Sequence, residues 1–483
     1  MQRVVALLMV FGLTILYGHV EAKGNDDFTP YYKYRIWLKD KGSDVQVQRQ
    51  LKHPERYLSE RSLQRRERQG FEIDITDVPV NPKYIKRIES VGLDVILRSK
   101  WNNTVVVQSE DTTLLQQVES MPFVKKVERV ARYNKPVERY VQRNSSNELP
   151  EKENDKSDAF YGVAKDQINT INGVPLHEAG YRGEGMMIAV IDGGFHNLDR
   201  MKAINQKNII GTKNFVVPDV SVFDMIDEHG LQVSSCMMAN EEGVMVGTAP
   251  NASYWLFVSE DGGSEQMIEE DNWAAAIEFA DSVGVDVVNT SLGYGGYDGD
   301  GKTRVKIPAW ERNGRDHLIS RSASMAAGKG MVLCHSAGNG GEEILSTISV
   351  PADAENVWTV GSVALIGNST LPPEQKFANG RELLFFSSRG GTYDGRFKPD
   401  VVCEGLNVIK KNGKTGFSFG TSISSPVLCG MVACLWQALP ELNAFEIMDI
   451  IKRSSSHYST PNMDYGYGIP NFEKALQLGK ELK

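Results

Sequence analysis

Short apolar runs without intervening polar residues recur along the C-terminal two thirds of the chain. They predict buried strands at 186–191, 254–258, 285–289, 331–335 and 357–361. The stretches between them predict helices near 229–240, 265–282, 320–328, 422–438 and 443–453. Strands that alternate with helices form a parallel sheet with helices packed against it. We therefore expect an α/β fold, built on a doubly wound, mostly parallel sheet with helices on both faces.

A different pattern occupies about residues 30–133. Large apolar side chains alternate with polar or aromatic ones from Tyr32 to Leu38, which predicts a strand. The rest of this region predicts helices at 54–70, 84–91 and 112–120 and strands at 93–97, 104–107 and 124–129. This mixture of short elements predicts a separate small α/β domain ahead of the larger one.

Residues 134–158 join the two regions and are polar and charged, with almost no large apolar side chains. Such a segment cannot bury enough surface to order itself. We interpret it as a linker that carries a processing site. The predicted domains on either side are residues 23–133 and residues 159–483.

The first 22 residues have the pattern of a signal peptide. Arg3 precedes an apolar stretch from Val4 to Tyr17, and Val20-Glu21-Ala22 offers a small-residue cleavage site. The alternative is an uncleaved membrane anchor, for which the stretch is short. No later segment is long and apolar enough to cross a bilayer. We therefore expect export to the periplasm or the extracellular space, with no membrane span after the signal is removed.

The 483 residues carry a formal net charge of −9, and 41% of them are hydrophobic. The negative charge argues against a nucleic-acid partner, because phosphates require basic patches. Five cysteines occur without the Cys-x-x-Cys spacing of a metal site. Most of them lie in apolar runs, which favours small buried residues over disulfide bonds, although an exported protein would allow a disulfide.

The segment Gly420-Thr421-Ser422-Ile423-Ser424-Ser425-Pro426 directly precedes an apolar helical run. This order places Ser422 at the N-terminal end of a buried helix, where unpaired backbone N–H groups point at negative charge. Pro426 fits if the helix has barely begun, because proline is tolerated in the first turn. A serine there can attack a carbonyl while the helix end stabilises the oxyanion, although the same residues also form ordinary helix caps.

Three other segments supply complementary groups. Asp192 ends the strand predicted at 186–191, so its carboxylate lies at the sheet edge where sites form in open α/β folds. His229 opens a predicted helix, and histidine is the side chain best suited to transfer a proton near neutral pH. Asn339 lies in a small-residue turn, from which it could donate a hydrogen bond to an oxyanion. Each of these residues also has an ordinary structural explanation when taken alone.

In this order, the four segments resemble the subtilisin-like serine peptidases, whose chain order is Asp, His, Ser. Ser291-Leu292-Gly293 resembles the substrate-binding strand of the family, and 386–390 and 396–402 resemble the approach to its serine motif. The resemblance covers about residues 160–480. Three departures leave every catalytic group in place, namely Leu231 for Thr, Cys403-Glu404-Gly405 for Ala-Pro-Gly, and Ile423 for Met.

The resemblance implies a catalytic role for four residues. Ser422 would be the nucleophile, His229 the group that accepts and returns its proton, and Asp192 the residue that orients the imidazole. Asn339 and the Ser422 N–H would form the oxyanion hole.

The resemblance also implies how a peptide would bind. The substrate would add an extended strand beside Ser291, Leu292 and Gly293, with pockets bounded by the segment that contains Ala337 and Gly338. No cofactor is required for this chemistry. Subtilases often bind structural calcium, but no residue of this chain receives a ligand assignment. Asp298-Gly299-Asp300-Gly301 hints at a calcium loop, but it lacks the remaining ligands of an EF-hand and is interpreted as a solvated turn.

We therefore expect a secreted serine endopeptidase made as a zymogen, in which residues 23–133 form a propeptide that assists folding and blocks the cleft as an intramolecular inhibitor. Its other partners would be protein or peptide substrates. An accessory binding domain is the alternative for these residues. For the whole chain, the alternatives are a catalytically inactive subtilase-fold binding protein and a transpeptidase that uses the same triad.

Overall fold

The computed structural model describes residues 29–134, 154, 156–157, 159–299, 304–343, 347–366 and 376–482. The predicted signal peptide and most of the predicted linker lie outside the described residues. Within them, no helix has the length and apolar character needed to cross a bilayer. All five cysteines are free and buried, which confirms their interpretation as small core residues.

The N-terminal region folds around a small antiparallel sheet with the strand order β2-β3-β1-β4. Its strands are β1 (Tyr31–Leu38), β2 (Asp94–Ser99), β3 (Thr104–Ser109) and β4 (Val124–Tyr133). Its helices are α1 (Asp44–Leu51), α2 (Glu60–Gln69), α3 (Pro82–Glu89) and α4 (Leu114–Glu119).

Two details of this region differ from the prediction. Helix α1 was not predicted, because Val47 is its one buried residue and the apolar signal is correspondingly weak. The helix expected over 54–70 is a short 3₁₀ turn followed by α2. The break falls before Ser59, whose Oγ accepts a hydrogen bond from the Ser62 N–H and caps the new helix.

The larger region contains the remaining elements. Its strands are β5 (Met187–Asp192), β6 (Ile209–Asn214), β7 (Asn240–Glu241), β8 (Met245–Val246), β9 (Ser253–Val258), β10 (Val287–Thr290), β11 (Gly296–Asp298), β12 (Arg304–Lys306), β13 (Val332–Ser336), β14 (Trp358–Ala364), β15 (Glu382–Leu383), β16 (Val401–Cys403), β17 (Asn407–Ile409) and β18 (Thr415–Phe417). Its helices are α5 (Lys165–Thr170), α6 (Val174–Glu178), α7 (His229–Met238), α8 (Ile268–Val283), α9 (Leu318–Ala327), α10 (Thr421–Ala438), α11 (Ala444–Ser454) and α12 (Phe472–Glu481).

The main sheet runs in the order β15-β14-β13-β10-β5-β9-β6, with β16 also paired to β14. Every pairing in it is parallel except that of β14 with β15. Alternate residues of β5 enter different cores. Ile188 and Val190 pack with α7 and α10, whereas Ala189 and Ile191 pack with α8 and α9. The sheet is therefore covered by helices on both faces, which confirms the predicted fold class.

The two regions are in direct contact. The small sheet lies against α8, and Trp101, at the turn between β2 and β3, is buried in the same apolar cluster as Trp273 of that helix. Polar side chains of β1 are buried as well, since Lys33 and Arg35 face the larger region. One face of the β1 strand thus packs on its own core and the other on the neighbouring domain.

Helix α10 packs so closely that one of its glycines cannot be enlarged. A Cβ at Gly430 would lie 2.0 Å from Thr248 Oγ1 and 3.1 Å from the Ala249 nitrogen. Alanine gains about 1 kcal/mol of helix propensity, but overpacking costs about 1–3 kcal/mol. We predict that Gly430→Ala lowers the free energy of unfolding in urea. Gly328→Ala is the control, because its nearest neighbour would lie 3.4 Å away, and an equal effect of both changes would contradict the prediction.

Candidate active site

Four adjacent strands end at one edge of the main sheet, and each is followed closely by a polar residue. In sheet order, β13 leads to Asn339, β10 to Ser291, β5 ends in Asp192 and β9 leads to Glu260. Because parallel strands place their carboxyl ends together, these residues lie along one edge. The predicted catalytic residues Asp192 and Asn339 are therefore brought to the same side of the sheet.

Asp192 and His229 form a direct contact. The Asp192 carboxylate is fully buried, and its Oδ1 lies 2.8 Å from Nδ1 of His229. The same oxygen accepts a hydrogen bond of 2.8 Å from the Gly193 N–H. His229 is the first residue of α7, and its backbone N–H donates to Asp227 Oδ1. The carboxylate of Asp227 thus fixes the start of the helix that carries the imidazole.

The surrounding charges favour the protonated form of His229. Burial alone would lower the pKa of this imidazole, but Asp192, with further contributions from Asp227 and Glu260, raises it to about 9. The pKa in an unfolded chain is about 6.5. The protonated pair therefore contributes its full stabilisation below that pH, and the contribution is lost as the pH rises through about 9.

Ser422 is the second residue of α10, and the residues before it bring Asn339 close. Gly420 has a φ of +148°, a conformation that favours glycine. A Cβ at this position would lie 3.0 Å from Ser422 Oγ and 3.3 Å from Asn339 Nδ2. The hydroxyl and the amide nitrogen thus flank one point, and a side chain at residue 420 would fill the space between them.

The orientation of the Asn339 side chain is set by Thr421. Oδ1 of Asn339 accepts hydrogen bonds from the Thr421 N–H at 2.9 Å and from Thr421 Oγ1 at 3.1 Å. Since the oxygen is held in this way, the amide Nδ2 remains available as a donor beside Ser422. Thr421 was not predicted as a site residue, and its position next to the serine was the one signal in the sequence.

A serine hydroxyl replaces the hydrogen bond that Pro426 cannot make. Pro426 is the sixth residue of α10 and lies in its second turn, not in the first turn as expected. It has no N–H to donate to the carbonyl of Ser422, four residues earlier. Ser291 Oγ donates to that carbonyl at 2.7 Å. Asn289 steadies the arrangement by donating to Ser291 Oγ and accepting from Ser425 Oγ.

The residues expected to bind substrate differ in whether their backbone N–H and C=O groups are free to form hydrogen bonds. Within the described part of the chain, the peptide groups of Leu292 and Gly293 make no hydrogen bond, and Gly293 is exposed. The next residue, Tyr294, pairs with Val350 through both of its backbone groups. Leu292 and Gly293 therefore have free backbone groups with which an extended peptide could pair.

The peptide groups of Ala337 and Gly338 already form hydrogen bonds within the protein. The N–H of Ala337 donates to the Val360 carbonyl, and its own carbonyl accepts from the Ser349 N–H. The Gly338 N–H donates to Thr421 Oγ1. These two residues can line a pocket but cannot pair with a substrate backbone through these groups.

Two further histidines lie near the site without joining it. His196 is buried, and its Nδ1 contacts the Met225 carbonyl at 3.0 Å. His335, on β13, is completely buried, and neither of its ring nitrogens has a partner among the described residues. Burial lowers the pKa of His335 to about 3, so this imidazole is neutral.

Comparison with known proteins identifies the family. The model of the subtilase family matches residues 183–468, a range that includes Asp192, His229, Asn339 and Ser422. The chain belongs to the subtilase family. A second model, the peptidase S8 propeptide domain of Bacteroidota, matches residues 33–148. The chain therefore contains a subtilisin-like serine peptidase domain preceded by a propeptide domain.

Characterised relatives are distant in sequence. Serine protease AprX of Bacillus subtilis is 27% identical over 320 residues, which cover 61% of this chain and 66% of AprX. Subtilisin E of the same organism is 28% identical over 317 residues, covering 64% of this chain and 70% of that protein. The chain thus spans about two thirds of the length of these relatives, slightly less in the case of AprX.

Among solved structures, fervidolysin from Fervidobacterium pennivorans, a keratinolytic enzyme related to subtilisin, matches with a TM-score of 0.58 at 16% identity. The match covers 94% of this chain and 62% of fervidolysin. At this identity the similarity concerns the fold, which includes both regions of the chain.

The contact between Asp192 and His229 predicts a measurable titration. We expect Asp192→Asn to lower the pKa of His229, because the change removes the largest charge that favours the imidazolium. Proton NMR of the histidine ring in a Ser422→Ala background would measure the pKa. Glu473→Gln, an exposed change on α12, is the control. If the His229 pKa were the same in the Asp192→Asn variant and the control, the contact would not govern the titration.

Proposed function

We propose that this protein is a serine endopeptidase that hydrolyses peptide bonds through an acyl-enzyme on Ser422. The observation that carries the proposal is that the sheet edge bearing the Asp192–His229 contact also bears Asn339, whose Nδ2 flanks one point together with Ser422 Oγ. Membership of the subtilase family supports the same chemistry.

Each residue has a step in this mechanism. In its neutral form, His229 takes the proton of the Ser422 hydroxyl as the oxygen attacks the substrate carbonyl, and later returns that proton to the leaving amine. Asp192 holds Nδ1 of the imidazole, so that Nε2 is the nitrogen that accepts the proton. Asn339 Nδ2 and the Ser422 N–H donate to the oxyanion that forms. Water then releases the acyl group by the same steps in reverse.

We infer that the substrate binds in an extended conformation. The free backbone groups of Leu292 and Gly293 support its pairing at this strand, and Ser291 is engaged in holding the start of α10. Ala337 and Gly338 would border a side-chain pocket, since their peptide groups are already paired. Main-chain pairing would then provide affinity, and the pocket would provide preference.

We infer that the N-terminal domain keeps the enzyme latent as a zymogen. Its last strand, β4, reaches the loop that follows β9, where the Arg132 N–H donates to Gln266 Oε1 at 2.7 Å. The next residue, Tyr133, is buried, and its burial and the nearby Asp261 carboxylate raise the pKa of its phenol well above the ordinary value. Since that loop begins directly beside the strand end of Asp192, the propeptide approaches the edge on which the triad lies.

Buried charges support a tight association of the two domains. Arg66 donates to both carboxylate oxygens of Asp281, on α8, at 2.7 and 2.8 Å, and Arg65 contacts the same carboxylate. A second pair, Arg35 and Asp271, is also buried, with contacts of 2.7 and 2.8 Å. These arginines belong to the propeptide domain, whereas both aspartates belong to the peptidase domain.

The charges around Asp281 outweigh its burial. Burial alone would raise the pKa of this carboxyl, but Lys100, Arg66 and Arg65 lower it well below its ordinary value. The contribution of this carboxylate to the association is therefore present above its ordinary pKa of about 4. It is lost as the pH falls through the lowered value, so strong acid weakens this contact.

Maturation would cut the chain between the two ordered domains. Asn154 supports an N-terminal limit for the mature enzyme, because its side chain donates to the Gly413 carbonyl and accepts from the Thr415 N–H. A product that begins at or before Asn154 keeps this contact. We therefore propose cleavage between Asn134 and Asn154, within the predicted linker, and export of the precursor through the predicted signal peptide at residues 1–22.

A fluorophosphonate probe tests the nucleophile and the processing together. We expect the wild-type protein to be labelled and to lose its propeptide, and Ser422→Ala to remain unlabelled and full-length. Intact-mass measurement would locate both the label and the cut. Labelling of the alanine variant, or a wild type that stays unlabelled after a trace of active protease removes the propeptide, would overturn the proposal. Joined peptides among the products would instead indicate a transpeptidase.

The Asp281 contact predicts slow release of the cleaved propeptide. Removing one partner of a buried ion pair costs about 3–5 kcal/mol. We therefore expect Asp281→Asn to weaken retention of the cleaved propeptide by at least about 100-fold, as measured by its co-elution with the mature domain. Arg315→Ala is the control, because its pair with Glu355 is exposed and worth at most about 1 kcal/mol. Equal retention in the two variants would contradict this role of Asp281.

A further inference from the structure

Three carboxylates lie together beside the proposed catalytic residues and take no part in the chemistry described above. Glu260 follows β9, Glu265 lies in the loop that leads to α8, and Glu269 is the second residue of that helix. One oxygen of each lies within 4.8 Å of the other two. All three come from one short segment, 260–269, so they come together without any residue of the propeptide.

Little positive charge balances this cluster. Arg304 is the one cation within ion-pair distance of it among the described residues, and its contact with Glu265 is long, at 3.4 Å, and partly exposed. Glu260 accepts hydrogen bonds from the Tyr294 hydroxyl at 2.7 and 2.8 Å and from Ser259 Oγ at 2.8 Å. These hydroxyls are neutral, so they do not compensate the charge.

Glu269 carries a buried oxygen that a ligand could satisfy. Its side chain is almost fully buried, with 2% of the residue exposed. Oε1 accepts a hydrogen bond of 2.9 Å from the Asp261 N–H. Oε2 is buried and has no partner among the described residues. A buried carboxylate oxygen without a partner is costly, and two further carboxylates, those of Glu260 and Glu265, lie beside this residue.

We propose that Glu260, Glu265 and Glu269 bind a divalent cation, of which calcium is the best fit. Carboxylates are the hard oxygen ligands that calcium prefers, at about 2.3–2.6 Å. Two ligands on opposite sides of one such ion are about 4.6–5.2 Å apart, so three oxygens within 4.8 Å of one another can share it. The ion would supply the partner that Glu269 Oε2 lacks.

Asp298 adds a further oxygen donor at the margin of the cluster. Its Oδ2 accepts a hydrogen bond of 2.8 Å from the Glu265 N–H. This aspartate begins the Asp-Gly-Asp-Gly turn, which the sequence alone did not connect to other ligands. In the folded chain, Asp298 lies next to Glu265, which is 33 residues away in sequence.

The bound ion would link the end of β9 to the first turn of α8. Through Glu260 and Tyr294, it would also connect to the strand that we propose pairs with substrate. Its expected effect is therefore greater stability of this side of the cleft. The inference goes beyond the proposed peptidase function, because binding of the ion does not require catalysis and is testable in an inactive variant.

Thermal unfolding of full-length Ser422→Ala protein tests the site. After removal of metal with EDTA, we expect calcium to raise the Tm by about 2–4 °C for each tenfold increase in concentration above its Kd. Glu269→Gln and Glu265→Gln, each in the same background, should lose most of this shift. Glu473→Gln, an exposed change on α12, should keep it.

Terbium luminescence provides a direct measure of binding, since Tyr294 contacts Glu260 and can sensitise a bound terbium ion. We expect the signal in the Ser422→Ala background, its displacement by calcium, and its loss in Glu269→Gln. An absent calcium shift, or equal shifts in Glu269→Gln and Glu473→Gln, would overturn the proposal. A different function is also testable in the active enzyme. If calcium has no effect and Glu269→Gln selectively slows cleavage of peptides with Lys or Arg before the scissile bond, the metal site is wrong. The carboxylates would then recognise a basic side chain of the substrate.

Discussion

The register of the central parallel strands is the constraint on which the rest of the structure depends. Thr290 of β10 lies opposite Ile191 of β5 on one side and His335 of β13 on the other. Asp192, the next residue of β5, lies opposite Val258 of β9. The four strands thus end at nearly the same level, and the loops that follow emerge side by side. A shift of one residue in any of them would turn its side chains to the opposite face and separate these groups.

Helix α10 depends on this register for its position. The helix is buried along most of its length, so packing fixes its axis, but the carbonyl of Ser422 lacks its usual donor because of Pro426. Ser291, at the end of β10, provides the donor instead. Ser422 and the segment proposed to bind substrate are thereby joined by one hydrogen bond, so a displacement of one would shift the other.

The contact between the two domains includes buried ion pairs. Asp271 and Asp281 are charged residues on a helix that the propeptide domain contacts, and both are buried and paired with arginines of that domain. The precursor thereby gains specific association of its two domains from complementary charge.

The local patterns predicted much of this molecule. Period and length located five of the eight strands described in the main sheet and five helices of the larger region to within a few residues, because a strand buried on both faces must be apolar throughout. Strands β6, β15 and β16 were not predicted, since β6 has exposed residues and the other two are very short. The cysteines were interpreted correctly for the same reason. Helix α1 escaped prediction, since one buried valine leaves almost no apolar period. The 3₁₀ turn before α2 was missed because its charged residues continue the helical pattern.

The sequence by itself determined most of the elements, the fold class and the residues that we propose for acyl transfer, because these follow from apolar period and from motifs of adjacent residues. Only the tertiary structure decided which distant groups meet. Thr421 orients Asn339, Ser291 completes the helix that Pro426 interrupts, and Asp298 approaches Glu265. Such contacts depend on strand register and on the packing of helices over a shared sheet. A local sequence pattern specifies neither of these.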